Sequence, residues 1–179
     1  MQRGSKKLQN LIKLSIREIP DWPHKGVNFK DITPLLQDKD MFRKMIDLLA
    51  RPYLRKKIDK IVGIDARGFI LAAAVAYKLK TGLAIVRKKG KLPSKTISKE
   101  YSLEYASNVL EMHEDAILPG ERTVIIDDVL ATGGTMKTAI DLVERLKGKV
   151  AGVDFLIELT YLNGRKKLRG HKIRSLLKY

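Results

Sequence analysis

A chain of 179 residues with 44% hydrophobic content is long enough and apolar enough for one compact domain with a sizeable core, which excludes disorder as its default state. It has no cysteine, excluding a disulfide framework or a thiolate metal site, and its longest apolar run, the nine residues from Phe69 to Tyr77, is far short of a membrane span. A formal net charge of +16 points to an anionic partner, either nucleic acid or a polyphosphate. The basic residues fall in separate clusters over 55–60, 87–91 and 164–174, so a lysine-rich solvated surface explains the charge equally well.

Leu8, Leu11, Ile12, Ile16 and Ile19 recur at helical spacing and predict an opening amphipathic helix that Pro20 ends. Pro23, Gly26 and Pro34 then break any long element. A second helix is predicted over 39–54, burying Met41, Phe42, Met45, Ile46 and Leu49. A repeating pattern follows: strand at 60–64, helix at 68–79, strand at 83–87, strand at 123–127, helix to 146, then strands at 150–159 and 172–177. Strands alternating with helices imply parallel pairing in an α/β sheet covered on both faces. Between 88 and 119 the rhythm fails, and this long, polar, partly β-like stretch has the character of an active-site lid. The N-terminus lacks the apolar core of an export signal, so a single cytoplasmic domain over 1–179 with no membrane partner is expected.

The most informative segment runs from Val124 to Thr135: an apolar strand, the carboxylates Asp127 and Asp128, the turn Ala131-Thr132-Gly133-Gly134-Thr135, and a helix beginning near Met136. Glycines let backbone amides approach a phosphate, the helix N-terminus favours its charge, and the threonine hydroxyls add donors. No lysine follows the glycines, which excludes a nucleoside-triphosphate P-loop, and the dinucleotide fingerprint is absent. Asp127 and Asp128 would repel a phosphate, so they should face hydroxyls or developing positive charge, both of which a ribose beside its own 5-phosphate provides. Taken alone, two adjacent acids are better read as a solvated strand end beside a capped helix.

The twelve-residue string resembles the phosphoribosyl-pyrophosphate motif of the type I phosphoribosyltransferases. Other blocks resemble the purine-using members of that family, in order and over nearly the whole chain: Trp22-Pro23 through Val27-Asn28-Phe29-Lys30-Asp31-Ile32, Asp65-Ala66-Arg67-Gly68-Phe69, the run from Val86 to Pro93, and Tyr101 to Tyr105. The resemblance implies a mainly parallel, twisted α/β sheet flanked by helices, with a base-binding hood over about 1–35 and a mobile lid over about 88–119. It implies transfer of the 5-phosphoribosyl group from phosphoribosyl pyrophosphate to N9 of adenine. Hypoxanthine, guanine or xanthine as the base, or a regulatory protein that senses phosphoribosyl pyrophosphate, are the alternatives.

Carried over residue by residue, the resemblance gives Arg67, Arg87, Lys88 and Lys91 to pyrophosphate, and residues 131–135 to the 5-phosphate. It gives Asp127 and Asp128 to the ribose, and Glu104 beside Tyr105 to the imidazole edge of the purine. A non-proline cis peptide is implied between Asp65 and Ala66. Mg²⁺ is the implied cofactor, held mainly by substrate phosphate and ribose oxygens and by water, with no direct protein ligand expected. Val27, Asn28, Phe29 and Lys30 would read the base, largely through the main chain. Asn28 stands where an aliphatic residue is common, Lys30 where arginine is usual, Lys25 where proline often sits and Ala106 where glycine commonly follows. Asn28 carries a donor and an acceptor, which leaves 6-oxopurines open. Members of this kind are homodimers in which the residue matching Arg87 reaches the neighbouring subunit's pyrophosphate. A DNA-reading element is missing from the sequence, so nucleic acid is not the expected partner.

Overall fold

Residues 60–64 and 123–126 are apolar at nearly every position, the pattern of strands covered on both faces rather than one. The computed structural model, which describes residues 2–103 and 106–179, places both at the centre of a sheet. The chain forms two units, Met1–Leu48 and Leu49–Tyr179.

In the first unit, helix α1 (Gln2–Leu14) stops short of the predicted end at Pro20. The Ser15 hydroxyl donates to the Leu11 carbonyl at 3.1 Å, and the chain then extends as β1 (Arg17–Ile19), antiparallel to β2 (Phe29–Asp31). Cross-strand charges favour this pairing over a longer helix: Lys30 meets Glu18 at 2.7 Å, and Arg17 lies 3.7 Å from Asp31. Helix α2 (Thr33–Gln37) follows, then α3 (Lys39–Ala50). The predicted helix over 39–54 is shorter in fact, because Pro52 has no amide to donate and the chain tightens into a 3₁₀ turn at Arg51–Tyr53.

In the second unit, β3 (Lys60–Ile64), α4 (Arg67–Leu79), β4 (Gly82–Lys88), β7 (Arg122–Leu130), α5 (Gly134–Arg145), β8 (Lys149–Glu158) and β9 (Ile173–Lys178) build the expected α/β sheet. Between β4 and β7 lies a hairpin of β5 (Thr96–Leu103) and β6 (Ala106–His113). Among the described residues the sheet has seven strands in the order β5-β6-β4-β3-β7-β8-β9. The β3, β4, β7, β8 and β9 pairs are parallel, and the hairpin joins antiparallel through β6 on β4. Among the described residues over 88–119, Thr96–Leu103 and Ala106–His113 extend the sheet. Arg145 of α5 donates to the Ser98 carbonyl at 2.7 Å, and Lys99 meets Asp141 at 2.5 Å, tying the hairpin to α5.

The core follows strand alternation. Val62, Ile64, Ile125, Val153 and Phe155 pack with Ala139, Ile140 and Val143 of α5. The buried Asp154 of β8 is paired: it accepts from the Tyr53 hydroxyl at 3.1 Å and from Arg174 of β9. Burial pushes the Asp154 carboxyl upward while Arg174 opposes it. Among the described residues, no helix is long and apolar enough to cross a membrane.

Candidate active site

The carboxyl ends of β3, β4 and β7 lie side by side, and in an open parallel sheet this edge is where ligands bind. Strand β7 runs three residues beyond its predicted end at Asp127, because Val129 and Leu130 keep their register against Ile157 and Glu158. The two acids therefore sit within a strand. The chain then turns through 131–133 into α5, with Gly133 at φ +81°, a backbone geometry that strains any residue with a Cβ.

The first turn of α5 holds no acidic residue to oppose the helix dipole. Lys137 donates its amide to the Gly133 carbonyl at 3.0 Å, so the amides preceding it lie at the open end of the helix. Ala131, Thr132, Gly133 and Thr135 line a cavity of about 70 Å³ with Asp127 and Met136. That is a phosphate-sized space in which the turn's amides and the Thr132 and Thr135 hydroxyls are the donors, with Val129, Leu130, Met136 and Phe155 as its apolar wall.

A second cleft of about 340 Å³ adjoins it, lined by Asp65, Ala66, Arg67, Lys88, Asp127, Asp128 and Thr135 among others. Asp127 and Thr135 line both spaces. Burial first, and the neighbouring Asp128 charge second, push the Asp127 carboxyl well above its ordinary range. Burial raises Asp128 as well, opposed by Arg67, whose Nη2 lies 2.6 Å from Asp128 Oδ2. The Asp128 amide donates to Asp127 Oδ1 at 2.9 Å. Two acids held this way offer strong acceptors to a sugar's hydroxyls and favour positive charge nearby.

Arg67 begins α4 directly after the Asp65–Ala66 peptide, which is cis, as the resemblance implied. Arg87 takes a different position from Lys88. Its Nε donates to Asp65 Oδ2 at 2.8 Å and its Nη1 to the Lys91 carbonyl at 3.0 Å, while the guanidinium lies over the Phe69 ring. Arg87 thereby braces the turn that carries Arg67. Lys88 lines the cleft, and Lys91 contributes its carbonyl to Arg87 while its side chain is exposed. Asp65 is a further site residue, and an acid closing an apolar strand is its signal in the sequence.

In the first unit, Trp22 packs edge-on to Phe29 at 4.4 Å after a cis Trp22–Pro23 bond. Val27 uses both backbone groups locally: its amide donates to the His24 carbonyl and its carbonyl accepts from Trp22, each at 3.1 Å. Glu18 accepts from Asn28 Nδ2 at 2.8 Å and pairs with the buried Lys30 ammonium, and these two bonds hold its carboxyl below the usual range, Lys30 contributing more. The side chains at the two unusual positions thus engage one another's partner within the segment. Glu104 and Tyr105 lie outside the described residues.

The Gly/Thr turn thus stands at a helix start, beside paired acids at the carboxyl end of the sheet. Residues 32–175 match the phosphoribosyl transferase domain family. The adenine phosphoribosyltransferase of Geobacter metallireducens is 56% identical over 168 residues, covering 94% of this chain and 98% of that protein. The Trichlorobacter lovleyi adenine phosphoribosyltransferase is 54% identical with the same coverage. The crystal structure of adenine phosphoribosyltransferase from Thermoanaerobacter pseudethanolicus superposes with a TM-score of 0.93 at 52% identity, covering 96% of this chain and 99% of that one. The enzyme from Saccharomyces cerevisiae, solved with adenine and an imino-altritol bisphosphate, gives 0.91 at 35% identity, with 96% and 99% coverage. The chain belongs to the phosphoribosyltransferase family, on the adenine phosphoribosyltransferase branch.

Proposed function

We propose that this chain salvages adenine, transferring the 5-phosphoribosyl group of phosphoribosyl pyrophosphate to N9 and giving AMP and pyrophosphate. The observation that carries the reading is the pair of adjoining spaces that share Asp127 and Thr135. The smaller fits a 5-phosphate, the wider fits a pyrophosphate near Arg67 and Lys88, and the two acids lie where a ribose would join them.

Cleaving C1′–O expels pyrophosphate with the bonding electron pair and leaves positive charge on the sugar. Asp127 and Asp128 stabilise that charge and orient the ribose hydroxyls. Arg67 and Lys88 take up the negative charge gathering on the leaving group, and Arg87 keeps Arg67 in place through Asp65. Adenine N9 donates its electron pair to C1′, and the proton displaced from the base is received or positioned by Glu104. The main chain around 28–30 reads the adenine edge, because the Asn28 and Lys30 side chains are occupied by Glu18.

Mg²⁺ fits this donor set as an ion carried by the substrate. Among the described residues no cluster of three or more His, Asp or Glu side chains forms a cation cage, and magnesium commonly keeps several waters and binds through substrate oxygens. When bound it supplies charge neutralisation for the leaving pyrophosphate. A homodimer belongs to the same proposal. Ile70 and Tyr77 lie on one face of α4, with exposures of 43% and 89%, a surface suited to a second copy. A cytoplasmic setting belongs to it too, since a multiply charged donor does not cross a bilayer unaided.

The test is a set of Mg²⁺-dependent initial rates with phosphoribosyl pyrophosphate and adenine, hypoxanthine, guanine or xanthine. Adenine is expected to react far faster than the 6-oxopurines. Comparable rates with hypoxanthine would replace the adenine assignment, and no reaction with any base would return the chain to a sensing role.

A further inference from the structure

After β8 the chain turns through two short 3₁₀ segments, Thr160–Leu162 and Gly164–Leu168, before entering β9. This strap lies in backbone contact with the phosphate loop. A Cβ added at Gly133 would stand 2.5 Å from the Gly164 carbonyl oxygen, and one at Gly164 would stand 2.2 Å from the Ala131 carbonyl oxygen. Neither clash is with the far end of a flexible side chain. The loop's shape and the strap's position therefore determine one another.

The strap is itself fixed from behind. Arg165 donates Nε to Glu158 Oε1 at 2.6 Å and Nη2 to Glu158 Oε2 at 2.8 Å, a two-pronged bond that fixes the plane of both groups. Its Nη1 reaches the Ile173 carbonyl at 3.1 Å, and the Ser175 hydroxyl donates to Glu158 Oε2 at 2.7 Å. Glu158 is almost fully buried, and Arg165 above all holds its carboxyl below the usual range. Its register partner on β7 is Leu130, the residue immediately before the loop, and the Leu159 amide donates to the Leu130 carbonyl at 2.9 Å. One ion pair thus ties the strap to the strand from which the phosphate loop departs.

We propose that Glu158, Arg165 and Gly164 form a buttress that sets the phosphate loop in its anion-binding shape, making them positioning residues for the donor's 5-phosphate. This rests on the reading that residues 131–135 bind that phosphate. The buttress acts on the loop and not on the pyrophosphate end of the cleft, so damage to it has a directional signature.

Titration calorimetry with ribose 5-phosphate and, separately, with magnesium pyrophosphate reads that signature. Gly164→Ala and Arg165→Ala should weaken ribose 5-phosphate by about ten- to a hundredfold, the scale of an ångström-sized misplacement, and leave pyrophosphate affinity unchanged. Arg165→Lys, which keeps the charge and loses the fork, should fall between them and wild type. Tyr53→Phe, which removes the hydroxyl bonded to Asp154 away from the loop, should lower Tm without changing either affinity. If Arg165→Ala does not fold, Gly164→Ala and Arg165→Lys carry the test. Unchanged ribose 5-phosphate affinity with a lowered Tm would make the strap merely structural and overturn the buttress. Thr135→Ala separates the two readings: binding lost there and kept in the Gly164 and Arg165 variants sinks the buttress alone. A wild-type protein that does not bind ribose 5-phosphate sinks the phosphate-loop reading and the buttress with it.

Discussion

Asp127→Asn should stabilise the ligand-free fold while disabling the enzyme. The wild-type carboxyl is pushed up by burial and by the adjacent Asp128, and Arg67 offsets only part of this. Asparagine keeps the Oδ1 that accepts the Asp128 amide at 2.9 Å and removes the charge that burial penalises. A gain of about 1 kcal/mol is the usual scale for relieving a functional site of this kind. For a chain of this size that is roughly 2–4 °C in Tm. The sign with pH follows from the raised folded pKa. The stability associated with Asp127 is fully present below its unfolded pKa, about 3.9, and is lost as pH rises through the folded value. Asparagine does not titrate, so the Tm difference should be near zero in acid and grow towards neutral pH. Scanning calorimetry of both proteins across that range, with turnover measured alongside, checks it. A Tm that falls on substitution, or a gap independent of pH, would refute the claim that the two acids strain one another.

Asp128→Ala should nearly abolish turnover, by at least about a hundredfold, with an unchanged circular-dichroism spectrum; near-normal activity would make these acids a solvated strand segment. Glu104→Ala should slow the chemical step by about two to four orders of magnitude while phosphoribosyl pyrophosphate still binds. Weakened donor binding with an intact rate, seen in single-turnover and titration experiments, would remove its assigned role. Inactive Arg87→Ala and Asp128→Ala proteins, co-refolded into verified heterodimers, should regain part of the activity if Arg87 completes its neighbour's site. No recovery would leave Arg87 to its own subunit, where it already holds Asp65 at 2.8 Å.

The central sheet was legible because burial on both faces writes itself into composition. Residues 61–64 and 124–126 are apolar at successive positions, and the Gly/Thr turn after β7 marks where a helix must begin. Boundaries failed where long-range pairing decided them. Ile16 and Ile19 continue the apolar spacing of α1, yet Arg17–Ile19 pair with 29–31, and that contact is invisible to a local pattern. Strand β7 outran its predicted end for the same reason, since β8 supplies partners beyond Asp127. Within the site, the cradle could be read as a contiguous string. The Asp65–Arg87 pair and the Gly133–Gly164 approach could not, because their members are separated by 22 and 31 positions and meet only through the sheet.

Phosphorus NMR of the complete reaction tests the central claim most directly. With Mg²⁺, adenine and phosphoribosyl pyrophosphate, the donor resonances should give way, one for one, to the 5′-phosphate of AMP and to free pyrophosphate. Omitting adenine should leave the donor intact. A donor that persists in the full mixture, or that breaks down equally without adenine, would contradict the assignment of this cleft to phosphoribosyl transfer.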